Sequence, residues 1–307
     1  NRQHGNNLYE VLVTFLKIRQ PKTGIRQLAL TVLLGFPHLY FLHPANHIKL
    51  RMKNLPKFSV KQKYREYRKK RKQKIFKGNS VHCTICNSDY KEFAPFGNTK
   101  RKNAKCHNCG SLERHRLVWK YIQDKELING PLKLLHFAPE KVFYTIFSEM
   151  SEIDYFPCDL HPNIYNYEGK TTVKKADITD IPFEDNYFDF ILCNHVLEHI
   201  PNDALAMSEL YRVMKPNGVG IFQVPIDYNR DKTYEDFSIT SKKGRLKAFG
   251  RRDHVRWYGN DYKDRLANAG FEVMEDDFVN SFSKKKQFKY GFDSSEQIYY
   301  CEKILEK

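Results

Sequence analysis

Nowhere in its 307 residues does this chain hold the twenty or so consecutive apolar residues that a bilayer-spanning helix needs. Its longest apolar run, residues 28–42, is interrupted by Gly35, Pro37 and His38. It reads as a helix docked on the rest of the protein or as an interfacial segment, and a span is not expected. No small-residue cleavage site follows it closely, which argues against a secretory signal. The sequence does not begin with Met, so an upstream segment is expected. No internal repeat is evident, which excludes solenoid architectures. The seven cysteines show no disulfide pattern, which favours a reducing compartment, the cytoplasm.

Charge is uneven. Residues 1–77 hold nineteen Lys or Arg against two acids, a balance of +17, and the remaining residues hold thirty-three against thirty-four. The formal +16 is thus a property of the N-terminal arm, densest at residues 57–77. Such blocks are solvated and grip phosphates or an anionic membrane surface. Beside an apolar run, the block supplies the two anchoring signals of a peripheral membrane protein. RNA is the alternative partner, and a plain solvated linker is the third reading. Length permits one catalytic domain with a small module and an arm: residues 1–77 as the arm, 78–110 as the module and 111–307 as the main domain.

Four of the cysteines form two C-x-x-C knuckles, Cys83/Cys86 and Cys106/Cys109, nineteen residues apart. This spacing points to a zinc ribbon, with four thiolates closing a tetrahedral structural site. His107 lies inside a knuckle and reads as a surface residue. Cys158, Cys193 and Cys301 fall in apolar stretches and read as small buried residues. After the second knuckle, Ser111 is a candidate N-cap, and Leu112, His115, Trp119 and Ile122 recur at helical spacing. Arg114 and Arg116 read as a solvated face of that helix, with an anionic ligand as the alternative.

From residue 132 onward, short apolar runs alternate with helix-length patterns, which implies an α/β, doubly wound, mainly parallel sheet. Strands are expected at 132–137, 153–159, 171–175, 188–194 and 219–224, a first helix at 140–150, and two last strands at 271–274 and 298–304. Residues 188–200 read Phe-Asp-Phe-Ile-Leu-Cys-Asn-His-Val-Leu-Glu-His-Ile: a buried strand stops at Asn194 and His195 and hands over to a helix. Carboxyl ends of such strands carry ligands. The spacing His195-x-x-Glu198-His199 is that of inverted zinc proteases, but those need all three side chains on one helix. With His195 at the strand end, no catalytic metal is expected.

The segment 188–200 and the following Lys215-Pro216-Asn217-Gly218 turn resemble the class I S-adenosylmethionine-dependent methyltransferases, in particular the type 11 group. The resemblance covers about the last three-fifths of the chain. It implies a Rossmann-like sheet of seven strands, the last two antiparallel, beside the zinc-ribbon module, and S-adenosylmethionine as cofactor. Asp159, at the end of the second strand, suits the ribose hydroxyls, with Leu160 beside it. Asp177, followed by Ile178, suits the adenine amino group. Phe137, Ala138 and Glu140 occupy the loop at the cofactor's amino-acid end, and Asn194 faces the cleft. This loop, His136-Phe137-Ala138-Pro139-Glu140, lacks the family's glycines, and a subgroup with the same Ala-Pro-Glu loop is similar to it.

The stretch between the fifth strand and the last helix stands where the family carries a substrate cover. Tyr234, Glu235, Asp236, Arg256 and Tyr258 are its candidate substrate contacts. His195 and His254 are the candidate bases. The expected acceptor is a polar small molecule or glycan, with a lipid-linked one in view. RNA, held by the ribbon and the arm, is the alternative, and a non-catalytic zinc-ribbon adaptor is the third reading.

Overall fold

The computed structural model describes residues 60–97, 99–167 and 172–304. The apolar run at 28–42 and the first part of the basic arm lie outside them. Among the described residues no helix is long and apolar enough to cross a membrane.

Helix α1 (Val60–Ile75) carries nine Lys or Arg and one Glu. Its side chains from residue 63 onward are almost all exposed, the solvated state expected of such a block. Two small hairpins follow: β1 (Lys77–His82) pairs with β2 (Asp89–Tyr90), and β3 (Ala94–Phe96) with β4 (Arg101–Lys105), both antiparallel. Helix α2 (Glu113–Asp124) leads into the sheet.

That sheet is built from β5 (Leu132–Phe137), β6 (Ile153–Asp159), β7 (Lys174–Lys175), β8 (Phe188–Asn194), β9 (Met214–Gln223), β12 (Glu272–Asp276) and β13 (Ile298–Glu302). Their order is β12-β13-β9-β8-β5-β6-β7. Pairing is parallel except at β13, which runs antiparallel to both β9 and β12. The seven-stranded, mainly parallel sheet is thus present. Helices α3 (Lys141–Glu149), α4 (Asp203–Val213) and α6 (Tyr262–Asn268) flank it, and the short β10 (Tyr234–Glu235), α5 (Lys242–Phe249), β11 (Arg256–Trp257) and α7 (Lys284–Tyr290) fill the late insertions.

Strand periodicity sorts the central side chains onto two faces. Leu135, Phe137, Ile191 and Cys193 join α4 and α6 residues in one apolar cluster. Leu134, Phe190 and Leu192 join α2 and α3 residues in the other. Cys158, Cys193 and Cys301 are buried. Burial on both faces explains the nearly unbroken apolar sequence of these strands.

Three local expectations change. The third strand shortens to Lys174–Lys175 among the described residues. The Lys215–Gly218 turn is absorbed into β9 as an irregular start. There Asn217 adopts φ +61°, and a Cβ on Gly218 would meet Lys215 O at 2.7 Å. The segment after β8 is not a helix but a single 3₁₀ turn, Leu197–His199. The residue before a proline is driven out of the helical region, and Ile200, preceding Pro201, is extended. The true helix, α4, begins afterwards, with Asn202 accepting from Leu205 N–H as its cap.

Candidate functional site

Each knuckle closes on a left-handed residue, Asn87 at φ +51° and Gly110 at φ +77°. Cys83 N–H donates to Ser88 O, and Cys106 N–H to Ser111 O. These turns bring Cys83 Sγ to 3.6 Å from Cys109 Sγ, and Cys86 Sγ to 3.6 Å from Cys106 Sγ. All four sulfurs lie within 4.8 Å of one another. Tetrahedral zinc at about 2.3 Å from each thiolate needs sulfurs roughly 3.8 Å apart, so the donor set fits that ion. Ser111 is not the helix cap: its Oγ sits 3.3 Å from Cys83 Sγ and 3.2 Å from Cys109 Sγ. His107 stacks on Phe76 and takes no part in the cluster.

Arg116 is the larger surprise. Expected on a solvated face, it is fully buried. It donates to Ala104 O and Ser111 O on the ribbon side and to Tyr290 O and Gly291 O on the far side. Phe93 lies under the guanidinium at 4.1 Å. Burial depresses the Arg116 guanidinium, and the neighbouring cysteines counter that shift by favouring its charge. A zinc tetrathiolate would carry two negative charges, so this buried cation suits it.

At the carboxyl ends of the adjacent strands β5 and β8, two non-glycine residues adopt left-handed backbone: Ala138 at φ +46° and His195 at φ +55°. Each is fixed by its amide, Ala138 N–H to Cys158 O and His195 N–H to Gln223 O. Strain of this kind costs about 1–3 kcal/mol and gathers at functional sites. Ala138 adopts a glycine-like conformation in a glycine-free loop.

Around these ends lies a polar cluster. Glu140 Oε2 accepts from His136 Nε2 at 2.9 Å, and its Oε1 is 3.8 Å from His115 Nε2. Burial alone would raise the Glu140 carboxyl, but the His136 hydrogen bond and the charges of His136, His115 and Arg114 bring it down to about 2. Burial pushes His115 down to about 3, so its imidazole is neutral at pH 7. Arg114 Nε, His115 Nε2, Glu140 Oε1, Asn194 Oδ1, His195 Nε2 and Gln297 Oε1 are buried without a hydrogen-bond partner. Unpartnered buried polar atoms are costly and rare, and such a group of them suits a polar ligand.

Other candidate cofactor positions are already engaged. Asp159 accepts from His161 N–H at 2.6 Å and from Tyr165 Oη at 2.7 Å. Asp177 is exposed and caps the Thr179 amide and hydroxyl. Phe137 and Ile178 point into the core, whereas Leu160 is 44 % exposed.

The late insertion corrects two further expectations. Arg256 and Tyr258, expected to touch substrate, are buried and internally satisfied. Arg256 donates to Leu197 O, Ile200 O and Pro201 O and pairs with Glu235 at 2.8 Å. Tyr258 Oη donates to Asp203 at 2.6 Å. Glu235 is thereby occupied, and Asp236 caps Ser238. Tyr234 alone of the five keeps a large exposed surface, 37 %. A cavity of about 180 Å³ lies nearby, lined by Pro225, Phe249, His254 and Trp257 among others.

The Arg256 clamp holds the 3₁₀ turn so that Glu198 and His199 meet His254, a grouping absent from the sequence reading. Glu198 Oε1 lies 3.4 Å from His195 Nδ1 and 3.9 Å from both His199 Nε2 and His254 Nε2. Burial would raise the Glu198 carboxyl, but hydrogen bonding and charge from His195, with the charge of His199, hold it below the usual range. Burial pushes His254 down to about 4. The cluster is therefore a carboxylate among imidazoles, with His254 neutral at pH 7.

Residues 145–222 match the family described as Methyltransferase domain. The chain is 26% identical over 134 residues to demethylmenaquinone methyltransferase of Staphylococcus aureus, covering 40% of this chain and 56% of that protein. It is 34% identical over 118 residues to the ubiquinone/menaquinone biosynthesis C-methyltransferase UbiE of Vibrio cholerae, covering 34% and 45%. Among solved structures, an S-adenosylmethionine-dependent methyltransferase from Mesorhizobium loti aligns with a TM-score of 0.43 at 11% identity, over 61% of this chain and 97% of that one. Residues 145–222 thus carry the likeness to a methyltransferase domain, and the two curated relatives matched are methyltransferases. The chain spans about half the length of these two curated relatives. The cysteine centre, the 137–140 loop and His254 all lie outside the stretch matched by the family.

Proposed function

We propose that the protein transfers a methyl group from S-adenosylmethionine to a polar small-molecule or glycan acceptor. The reading is carried by the unpartnered polar atoms of Glu140 and Asn194 after and at the ends of β5 and β8, with those of Arg114 and His115 on α2 and Gln297 before β13, because the strand ends are where an open α/β sheet binds its ligand. In this reading Asp159 exchanges its loop contacts for the ribose hydroxyls, and Asp177 lies near the adenine. The cofactor, when bound, supplies an activated methyl on a sulfonium, so the protein's task is alignment. For a hydroxyl acceptor His195 takes the proton. Its Nδ1 faces Glu198, which steadies the imidazolium as a buried carboxylate does in a catalytic dyad. The cysteine centre holds a structural zinc.

Calorimetry tests the cofactor assignment. Losing a charged acceptor costs about 1.5–3 kcal/mol, so Asp159→Ala should bind S-adenosylmethionine roughly ten- to a hundredfold more weakly. Unchanged affinity would remove Asp159 from the site. A parent protein that fails to bind the cofactor would point to the adaptor reading instead. The acceptor is found by mass spectrometry of metabolites and RNA from cells with and without the gene.

For the arm, an anionic membrane surface is the partner proposed. The near-neutral balance of residues 78–307 favours it over RNA. Replacing Lys69, Lys70, Arg71 and Lys72 with Gln in the full chain should weaken co-sedimentation with anionic vesicles by roughly 1 kcal/mol per charge. Salt-sensitive RNA binding lost in this variant, without vesicle binding by the parent, would favour RNA.

A further inference from the structure

We infer that Glu198, His199 and His254 form a second metal site, for a borderline divalent ion such as zinc or cobalt. Three observations converge on it. One ligand atom from each residue lies within 4.8 Å of the others. Around a single zinc at 2.0–2.2 Å, tetrahedral nitrogen and oxygen donors stand about 3.3–3.6 Å apart. Both Glu198–imidazole distances are 3.9 Å, so these two pairs close on an ion by a few tenths of an ångström, and the imidazole nitrogens, within 4.8 Å of each other, draw together with them. Glu198 is 2 % exposed; its Oε1 faces the three imidazoles, and its other oxygen, Oε2, has no hydrogen-bond partner, so the buried carboxylate has capacity left for a cation or donor.

The supporting contacts are those of a built site. His199 Nδ1 meets Asp253 O at 3.0 Å, which fixes Nε2 as the coordinating atom. Val255 N–H donates to Glu198 O, tying the two ligand segments together. Arg256 holds the carbonyls of Leu197, Ile200 and Pro201 on either side of Glu198 and His199. Two imidazoles and a carboxylate suit zinc-like ions better than magnesium or calcium. Three protein ligands leave a coordination position for water or substrate, the arrangement of a catalytic centre.

The expectation against a catalytic metal rests on His195 standing at the strand end, off the single helix that the H-x-x-E-H ligands need. In the folded chain His195 is indeed not a member of the set, and the ligands come from two segments. Two are neighbours in a 3₁₀ turn, and the third arrives from the late insertion. His195 lies outside the triad of ligands, with its Nδ1 on the Glu198 carboxylate and its Nε2 unpartnered. The 180 Å³ cavity shares His254 with the triad. An ion held there would supply Lewis-acid polarisation that makes an acceptor hydroxyl more acidic, and His195 stands beside the triad to take the proton. This role, unlike the binding itself, rests on the methyltransferase reading.

Metal content of the full chain, purified without chelator and dialysed against zinc, tests the site in the absence of cofactor. Two zinc ions per chain are expected, one of them on the four cysteines. Glu198→Gln and His199→Ala should each reduce this to one. His199 is part-exposed, so its loss is the gentler test of folding, checked by circular dichroism. Cobalt substitution should add the weak visible bands of a nitrogen–oxygen site to the intense sulfur-to-metal bands, and only the weak set should vanish in these variants. One equivalent in the parent, or two retained in both variants, overturns the assignment. Two equivalents in a parent that transfers no methyl group would leave the metal site standing and refute the proposed reaction.

Discussion

Replacing Cys106 with serine is expected to release one metal ion and to unfold residues 77–112. The ribbon has little else to hold it. Its strands run from two to six residues, and its buried cluster consists of Val81, Cys83, Tyr90, Phe93 and Cys106. A core of that size cannot offset the entropy of ordering the segment. A structural zinc in such a module contributes about 10–16 kcal/mol of apparent binding free energy, which is folding free energy where the unfolded chain has no formed site. Serine cannot supply a thiolate, so most of that contribution is lost. The damage should spread through Arg116. With the tetrathiolate gone, a buried guanidinium loses its counter-charge while still bridging Ala104 and Ser111 to Tyr290 and Gly291. Zinc analysis and hydrogen exchange together check this outcome. Unaltered zinc content and unaltered protection of the ribbon amides would mean that the fourth thiolate is dispensable.

Structure that is set locally is legible in this sequence. Strands β5, β6 and β8 are runs of apolar residues buried on both faces, and their ends matched the expected bounds. The cysteine knuckles were legible because each turn needs only four residues. Errors arose where a side chain's partner is distant. Nothing near Arg116 in sequence announces four carbonyls, two of them more than 170 residues away. Arg256 and Tyr258 read as candidate substrate contacts because they sit in a polar, aromatic stretch, yet that stretch is folded around Asp203 and the 3₁₀ turn. The same distance hid the meeting of His254 with Glu198. Pro201 carries the local signal for the turn after β8, because it disfavours helical backbone at Ile200.

Substitution of Arg256 by Met should cost about 3–5 kcal/mol, the usual effect of breaking a buried charged network by removing one partner. Arg256 is 1 % exposed. Its five donors serve the carbonyls of Leu197, Ile200 and Pro201 and the Glu235 carboxylate at 2.8 Å, with Asp203 at 3.4 Å. Methionine can fill the volume but leaves the buried Leu197 carbonyl and the part-buried Ile200 and Pro201 carbonyls without this donor, at a cost of roughly 1–3 kcal/mol for the buried one before relaxation. Arg265, bound to Asp203 at 2.7 Å, limits the loss at that carboxylate but cannot reach the turn. For a protein of this size the change corresponds to a Tm lower by roughly 6–20 °C. Arg256→Lys keeps the charge with a single point donor in place of the planar fork, so it should recover only part of the loss. The turn carries Glu198 and His199, so both variants should also weaken the second metal ion while leaving the cysteine-bound one in place. That pairing separates a clamp on the turn from general destabilisation, which would loosen both ions. A Met variant within about 0.5 kcal/mol of the parent, with two metal ions bound, would show that the carbonyls of residues 197–201 find other donors and that Arg256 does not hold the turn.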